Sequence, residues 1–566
     1  MSNFKTPGVY VQEVSTLPPS VAPVATAVPA FIGYTETALD NDGTTSLTNV
    51  PTRINSLVEY QTHFGGAFNQ TGIAVSMNVA TGIATATVAT PSNFVMYYQM
   101  QLYFANGGGP CYIVSVGNYS SSISLGTTTT GLRGGLEATA REDEPTLLVF
   151  PDAAAGLSHN DLYSLYTSAL AQCHTLQDRF TIMDVHDHTN LSTSVSDFRS
   201  GVVSSYLNYG AAYYPYLQTS LSYAYIESAV DVTYNNYYRH TSGALQITYT
   251  GTNGGSNPTV AITLSDVATI SFTITHSAAP YTMVITVPDG ANPSDTHTTA
   301  IPTEAEVVAA WTAWKSANNP RNFDIVLTGA GTTAVASLSA TPLTPPASVT
   351  LNTLETSDNT AYHAAVSAID TLKLSLSPSA AMAGVYARTD RDRGVWKAPA
   401  NTPLANVLAP AVKITDATQG DLNVDANTGK SINAIRAFYG KGTLVWGART
   451  LAGNDNEWRY VSTRRLFITV EESVRKSTAW TVFEPNTANT WIKVKAQIEN
   501  YLNGLWRDGA LAGATPDEAY FVHVGLGVTM NPQDILNGSM NIEIGMAAVR
   551  PAEFIILKFS HKLQRS

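Results

Sequence analysis

Cysteine is nearly absent. Cys111 and Cys173 stand alone among 566 residues, too few for a disulfide framework, so two free thiols or one bridge remain open. Charge is scarce as well: Asp, Glu, Lys and Arg make up 13% of the chain, about half the roughly 25% of ordinary soluble domains. So little surface charge fits a protein that hides much of its surface in an assembly, and it also fits a Ser/Thr/Gly-rich secreted β protein. A basic excess is missing, with 31 Lys and Arg against 43 Asp and Glu for a net charge of -12, which argues against the basic face of a nucleic-acid binder. No apolar run reaches the roughly 18 residues of a membrane span. The opening MSNFKTPGVYVQEV lacks the basic-then-apolar order of a signal peptide. Together these absences predict a chain with reduced thiols, made and assembled in a cytoplasm.

What is present is ample apolar material, 44% of residues. At roughly 150 residues per domain the length predicts three or four compact units. After Pro18, Pro19, Pro23 and Pro29 keep the chain extended, short apolar strands alternate with helices. AFIGYTE at 30–36, the strand-to-helix passage 53–64, the helical 94–106, TLLVFPD before 152, a helix at 161–176 and FTIMD at 180–184 predict α/β layering. From 221 to 355 the texture changes to ALQITYTG, TVAITLS, TISFTITHS and YTMVITVPDG, broken by one helix near 304–316. This predicts an inserted β-rich domain, a small sandwich, with acids outnumbering bases and therefore facing solvent. The α/β texture resumes with a helix at 361–373. The fold class is thus α/β (α+β) and multidomain, divided as 1–30, 31–220, 221–355, 356–540 and 541–566.

The stretch 438–506 carries no reaction centre. Strand-like 443–446 is followed by Trp458 to Tyr460, by paired Arg464 and Arg465, and by 466–470. The Glu471, Glu472 pair is expected to open only a short helix there. Beyond a turn at Pro485, Trp491, Val494, Ile498, Leu502 and Leu505 recur at helical spacing and predict an amphipathic helix of about four turns. At the two ends, 9–14 and 554–559 read as strands with no local partner, suited to adding onto a sheet edge in another subunit.

Several patterns imitate chemistry. Asp184, His186, Asp187 and His188 cluster after a strand, but their spacing matches no zinc signature, and a polar loop is the better reading. ANTGKS at 426–431 resembles the end of a phosphate loop, yet Val424 stands where the first glycine belongs. Gly107 to Gly109 reads as a helix-to-strand turn. Arg388, Asp390, Arg391, Asp392 and Arg393 alternate in sign and predict self-paired interface charges. No GxSxG elbow is present. The chain is expected to use no cofactor and no metal, and to be no enzyme.

Ten segments carry a family resemblance: TPGVYVQEV (6–14), FIGYTE (31–36), FANGGGPCYIVSVG (104–117), YGAAYYPYL (209–217), AGVYARTDRDRGVWKAPAN (383–401), VWGART (445–450), WRYVSTRRLF (458–467), FEPN (483–486), GALAGAT (509–515) and IEIGMAAVRPAEFIILK (542–558). In this order they resemble the sheath proteins of contractile phage tails, R-type pyocins and extracellular contractile injection systems. The resemblance implies a structural subunit that stacks as hexameric rings around an inner tube and contracts to drive the tube through a target membrane. It implies the chain itself, the inner tube protein, and baseplate and terminator or cap proteins as partners, with no nucleic acid and no membrane insertion. Val9, Tyr10, Val11, Val14, Phe554, Ile555, Ile556, Leu557 and Phe559 occupy the places of the family's inter-subunit arm strands. Bases outnumber acids from Lys430 onward, and Lys493, Lys495, Gln497 and Asn500 become the expected inner-tube contact. The acidic stretch often seen in the family near VHV (522–524) is missing. The single polypeptide argues against the two-protein sheaths of type VI secretion. An injection system is the favoured setting and a phage virion tail the alternative. A secreted carbohydrate-binding β module and an enzyme built on the His-Asp loop are the competing classes.

Overall fold

Pro29–Thr35 is buried at every residue, as a strand apolar on both faces should be when a parallel sheet is covered on both sides. It lies third in a nine-stranded sheet ordered Thr52–Ile54, Cys111–Asn118, Pro29–Thr35, Leu147–Val149, Phe180–Asp184, Gly210–Tyr214, Ile432–Phe438, Gly442–Val445, Thr402–Pro403. The strands from Cys111–Asn118 through Ile432–Phe438 run parallel. Pairing at both ends is antiparallel. The computed structural model describes residues 20–79, 81–186, 190–290, 296–297 and 299–558. The chain divides into two compact units, and this sheet centres the first, made of 1–68, 93–221 and 375–566.

Within that unit, Met96–Ala105 and Ser379–Arg393 pack against each other. The second helix buries Ala380, Ala381, Ala383 and Gly384, and a Cβ on Gly384 would stand 2.5 Å from the Tyr103 carbonyl oxygen. The small residues of SAAMAG are therefore what lets the two backbones approach. Cys111 and Cys173 are both buried and unbridged, and burial raises both thiols above their ordinary range.

Two carboxylates sit where the parallel strands end. Asp152 accepts from the amides of Tyr34 (2.7 Å), Val95 (2.7 Å) and Met96 (3.0 Å), and so ties one strand to the start of the Met96–Ala105 helix. Asp184 accepts from the Ser379 amide (2.8 Å) and hydroxyl (2.6 Å), and so holds the first residue of Ser379–Arg393. In an open α/β sheet this rim is where ligands usually bind. Here both carboxylates are spent satisfying helix amides that would otherwise be orphaned.

The second unit is made of 69–92 and 222–374, wider than the 221–355 expected from composition. The hairpin Ile73–Asn78 and Ile83–Val88 enters a four-stranded sheet through the parallel pairing of Asp231–Asn235 with Ile73–Asn78. A discontinuous domain of this kind leaves no mark in a texture read along the chain. The expected sandwich is a three-stranded and a four-stranded sheet sharing a core with the helix Glu304–Ala317. Trp311 lies at 0% exposure in its centre, against Phe272.

Burial pushes the Asp184 carboxyl up to about 6, against the lowering effect of its serine donors. A folded-state value above the unfolded value of about 3.9 means that the group favours folding most at low pH, and that this contribution is lost as pH rises through about 6. The stability of the wild type relative to Asp184→Asn is therefore expected to fall by about 2–3 kcal/mol between pH 4 and pH 8. Urea midpoints across that range check it, and a pH-independent difference would contradict it.

Candidate assembly surfaces

One helix, Val461–Ser477, replaces the broken arrangement expected from sequence. The LFITV run holds β-branched residues, whose intrinsic preference is for a pleated surface. In the fold this segment is buried around most of its circumference, so tertiary packing overrides that preference. Its paired arginines, Arg464 and Arg465, lie within the protein. Arg464 sits over the rings of Tyr209 and Trp458, 4.6 Å from each centroid. Arg465 forks onto Asp390 at 2.6 and 3.0 Å, with side-chain exposures of 4% and 5%. It also lies over Tyr386 and donates to the Thr26 carbonyl at 2.6 Å. Asp390 thus answers a buried arginine of its own chain, and the 388–393 cluster is not solely a set of self-paired interface charges. Arg391 pairs with Asp392 and donates to the Gly107 carbonyl, while Arg388 donates to the Pro403 carbonyl.

After this helix come Ala488–Arg507 and a two-stranded antiparallel sheet, Tyr520–Val524 with Ile542–Met546. Val494, Ile498 and Leu502 join Leu466, Val470 and Val522 in one core, with Ile542, Ile544 and Met546 against it. The sheet covers that core with one face. Its other face shows Phe521, His523 and Glu543 to the outside, and among the described residues no third strand joins it.

The four expected tube-contact residues separate. Lys493 and Asn500 are exposed, and Lys495 is partly exposed, 3.6 Å from Glu499 one turn on. Lys495 and Asn500 also border an open groove of about 500 Å³ shared with Glu499, Asp517 and His523. Gln497 is buried at 1% and does not belong to this face. Its amide accepts from the Trp480 indole (2.9 Å) and donates to the Ser477 carbonyl (3.0 Å). An amide beside an apolar stripe is as well placed to fasten the next helix as to meet solvent, and sequence spacing does not distinguish the two.

Of the arm residues, Val9, Tyr10, Val11, Val14 and Phe559 lie outside the described residues. Phe554, Ile555, Ile556 and Leu557 form no strand among the described residues and are 72–80% exposed; the reading from sequence has this run covered by a neighbouring subunit. Four consecutive large apolar side chains in water are costly to leave uncovered. Sequence reading missed the residue before them. The Glu553 carboxylate takes two bonds from Arg449 (3.0 and 2.6 Å), one from Asn423 (2.7 Å) and one from the Tyr460 hydroxyl (3.2 Å). Burial raises its pKa, and Arg449 and Asn423 outweigh this and hold it below the usual range.

The motifs that imitated chemistry are occupied by structure. Asp184 caps a helix, His186 meets His159 edge to face at 4.3 Å, and Asp187 and His188 lie outside the described residues. In ANTGKS, Asp425 accepts from the amides of Asn427 and Thr428, while the Lys430 ammonium donates to the Arg199 carbonyl. The loop closes on itself and does not present amides to an anion.

Residues 453–562 match a family model described as the phage tail sheath C-terminal domain. A putative prophage major tail sheath protein of Pseudomonas aeruginosa (strain UCBPP-PA14) is 26% identical over 134 residues, 24% of this chain and 34% of that protein. The tail sheath protein of Enterobacteria phage T4 is 27% identical over 129 residues, 22% of this chain and 19% of that protein. The chain therefore spans about a third and about a fifth of the length of these two curated relatives. Two solved structures match nearly end to end. The PVC sheath complex of an extracellular contractile injection system, in the contracted state, has a TM-score of 0.53 at 25% identity, covering 99% of both chains. The helical sheath of the anti-feeding prophage (AFP), also contracted, has a TM-score of 0.53 at 27% identity, covering 99% of this chain and 100% of that one.

Removing one member of a buried ion pair strands the other charge, at a cost of about 3–5 kcal/mol, whereas replacing both with apolar groups costs far less. Arg465→Met is expected to lose stability of that size, and Arg465→Met with Asp390→Leu to recover most of it. Urea unfolding of the single and double variants checks this, and a single variant within about 1 kcal/mol of wild type would contradict it.

Proposed function

We propose, from the premise that this chain is a protein of the contractile-sheath family, that it polymerises as stacked hexameric rings around an inner tube and contracts to drive that tube through a target membrane. The observation that carries this reading is the match over 99% of the chain to the PVC sheath, a similarity that takes in both units of the fold. That match favours an extracellular contractile injection system as the setting. The T4 relative supports a phage tail as the second reading, over a far shorter segment. Assembly takes place in the bacterial cytoplasm, and the baseplate and a terminator or cap protein bound the polymer.

The arms supply the joints. Residues 554–557 offer an exposed apolar segment without a partner among the described residues, and the sheet of Tyr520–Val524 with Ile542–Met546 has room to be extended. Strand addition from neighbouring copies, by 9–14 at one end and by the segment after Glu553 at the other, satisfies both needs. Contraction is then a change between two packings of one mesh, with the extended array held above the contracted one until released. No catalytic step belongs to this reading.

Overexpressed protein viewed by negative-stain microscopy is expected to give tubes of stacked rings, and a strictly monomeric particle at high concentration would overturn the reading. Deleting residues 1–14 is expected to abolish long tubes and leave folded subunits. Unchanged tubes would remove the N-terminal arm from the account.

The inner-tube contact is assigned to Lys493, Lys495 and Asn500, on the exposed side of Ala488–Arg507. Individually weak charge contacts repeated in every ring suit a lining that must let go quickly. Lys493→Glu with Lys495→Glu is expected to cut co-assembly with the tube protein while sheath self-assembly persists. Unaltered co-sedimentation with the tube would contradict the assignment.

A further inference from the structure

Both segments that lead to the arms are fastened to the same helix, the N-terminal one along its length and the C-terminal one at its start. Residues 22–26 run along Val461–Ser477 in the reverse direction. The Ala22 amide donates to the Ser477 hydroxyl (3.1 Å), the Val24 amide to the Ser473 hydroxyl (3.1 Å), and Arg465 donates to the Thr26 carbonyl (2.6 Å). Arg465, Thr469, Ser473 and Ser477 are spaced four apart and so form one ridge. Thr469 lines the seam with Val24, Ala25 and Thr26. Ser473 and Thr469 are buried, so this ridge faces the N-terminal segment and not solvent.

The C-terminal segment is fastened where the helix begins. Tyr460, its N-cap residue, is one of the three side chains that grip Glu553, with Arg449 and Asn423. The Arg449 side chain is 4% exposed and that of Glu553 22%, so this fork is shielded from water, and a two-pronged charged pair is among the stronger side-chain contacts. Immediately upstream, the chain is held by the Ala547 amide on the Ala519 carbonyl and the Val549 amide on the Ala510 carbonyl. Immediately downstream, 554–557 are exposed and lie in no helix or strand among the described residues. Glu553 is therefore the last fixed point among the described residues. The outermost fastenings, Ala22 on Ser477 and Glu553 on Tyr460, lie at the two ends of this 17-residue helix, about 25 Å apart along its axis.

The helix between them is fixed along its length. Arg464 is held between Tyr209 and Trp458, Arg465 is forked onto Asp390, and Glu472 is gripped by Arg475 and Lys476.

We infer that Glu553 is the positioning residue of the C-terminal arm, and that Val461–Ser477 is the strut joining the two arm anchors. Tension from one neighbour enters at Glu553, Arg449 and Tyr460, and passes to the other neighbour through Ser473 and Ser477. The strut rests on the arm reading above, whereas the clasp at Glu553 stands independently of it. Glu553→Gln keeps the shape of the side chain and removes its charge. Arg449→Lys keeps a charge and removes the planar fork.

The clasp is tested in the full-length chain below the concentration of tube formation, with spin labels at Ile555→Cys and Asn456→Cys. Cys111 and Cys173 are buried, so the introduced thiols are the ones labelled. The pulsed-EPR distance distribution is expected to broaden at least about twofold in Glu553→Gln and Arg449→Lys, because losing a charge-assisted fork raises the open population about tenfold or more. Far-UV circular dichroism is expected to stay unchanged. In tubes, both variants are expected to assemble but with irregular axial rise, while deleting 554–558 abolishes tubes. An unchanged distance distribution overturns the clasp. Regular tubes from Glu553→Gln, alongside a deletion that does abolish tubes, overturn the strut alone. A deletion that leaves tubes intact overturns the arm reading and the strut with it.

Discussion

A guanidinium taken out of water must find its counter-charge inside the protein, and the rest of the first unit is arranged around that requirement at Arg465. Its partners are Asp390 on one helix, the ring of Tyr386 one turn before it, and the Thr26 carbonyl on the N-terminal segment. Tyr386 in turn meets Tyr213 hydroxyl to hydroxyl at 2.8 Å, on a central strand of the nine-stranded sheet. One side chain thus holds sheet, helix and arm leader in a single register. The Asp390 fork and the Tyr386–Tyr213 bond are short and polar and join buried side chains, so neither can slip without leaving an unpaired group behind. That property suits the role proposed for the chain, a subunit that moves as a body while its neighbours change.

Two carboxylates fill the rim of the nine-stranded sheet. Asp152 and Asp184 stand at the ends of parallel strands, the usual position for chemistry in an open α/β sheet. Each is enclosed by helix amides or by a serine. The rim is filled by structure, and the exposed features lie elsewhere, at an uncovered apolar segment, a two-stranded sheet and one side of an amphipathic helix.

Much of this was legible in the residues. Alternating apolar strands and helices gave the layered unit, and the spacing of Trp491, Val494, Ile498 and Leu502 gave the helix that carries them. Three features were not legible, each for a physical reason. The Val461–Ser477 helix hides behind β-branched residues because burial on nearly all sides, and not propensity, decides its state. The hairpin at 73–88 belongs to the second unit through a pairing with 231–235, and such a long-range pairing has no local signal. Gln497 and Glu553 looked alike as polar residues beside apolar ones, yet both are spent inside the chain. The run after Glu553 reads from sequence as a strand to be covered by a neighbouring subunit, and within the single chain it is exposed.

A helical reconstruction of the assembled polymer at side-chain resolution tests the central claim most directly. The account predicts residues 554–558 of one copy as a strand extending the Tyr520–Val524 and Ile542–Met546 sheet of its neighbour, with the Glu553 to Arg449 fork intact in every subunit. A polymer in which 554–558 fold back onto their own chain, or in which rings contact one another only through the second unit, would contradict it.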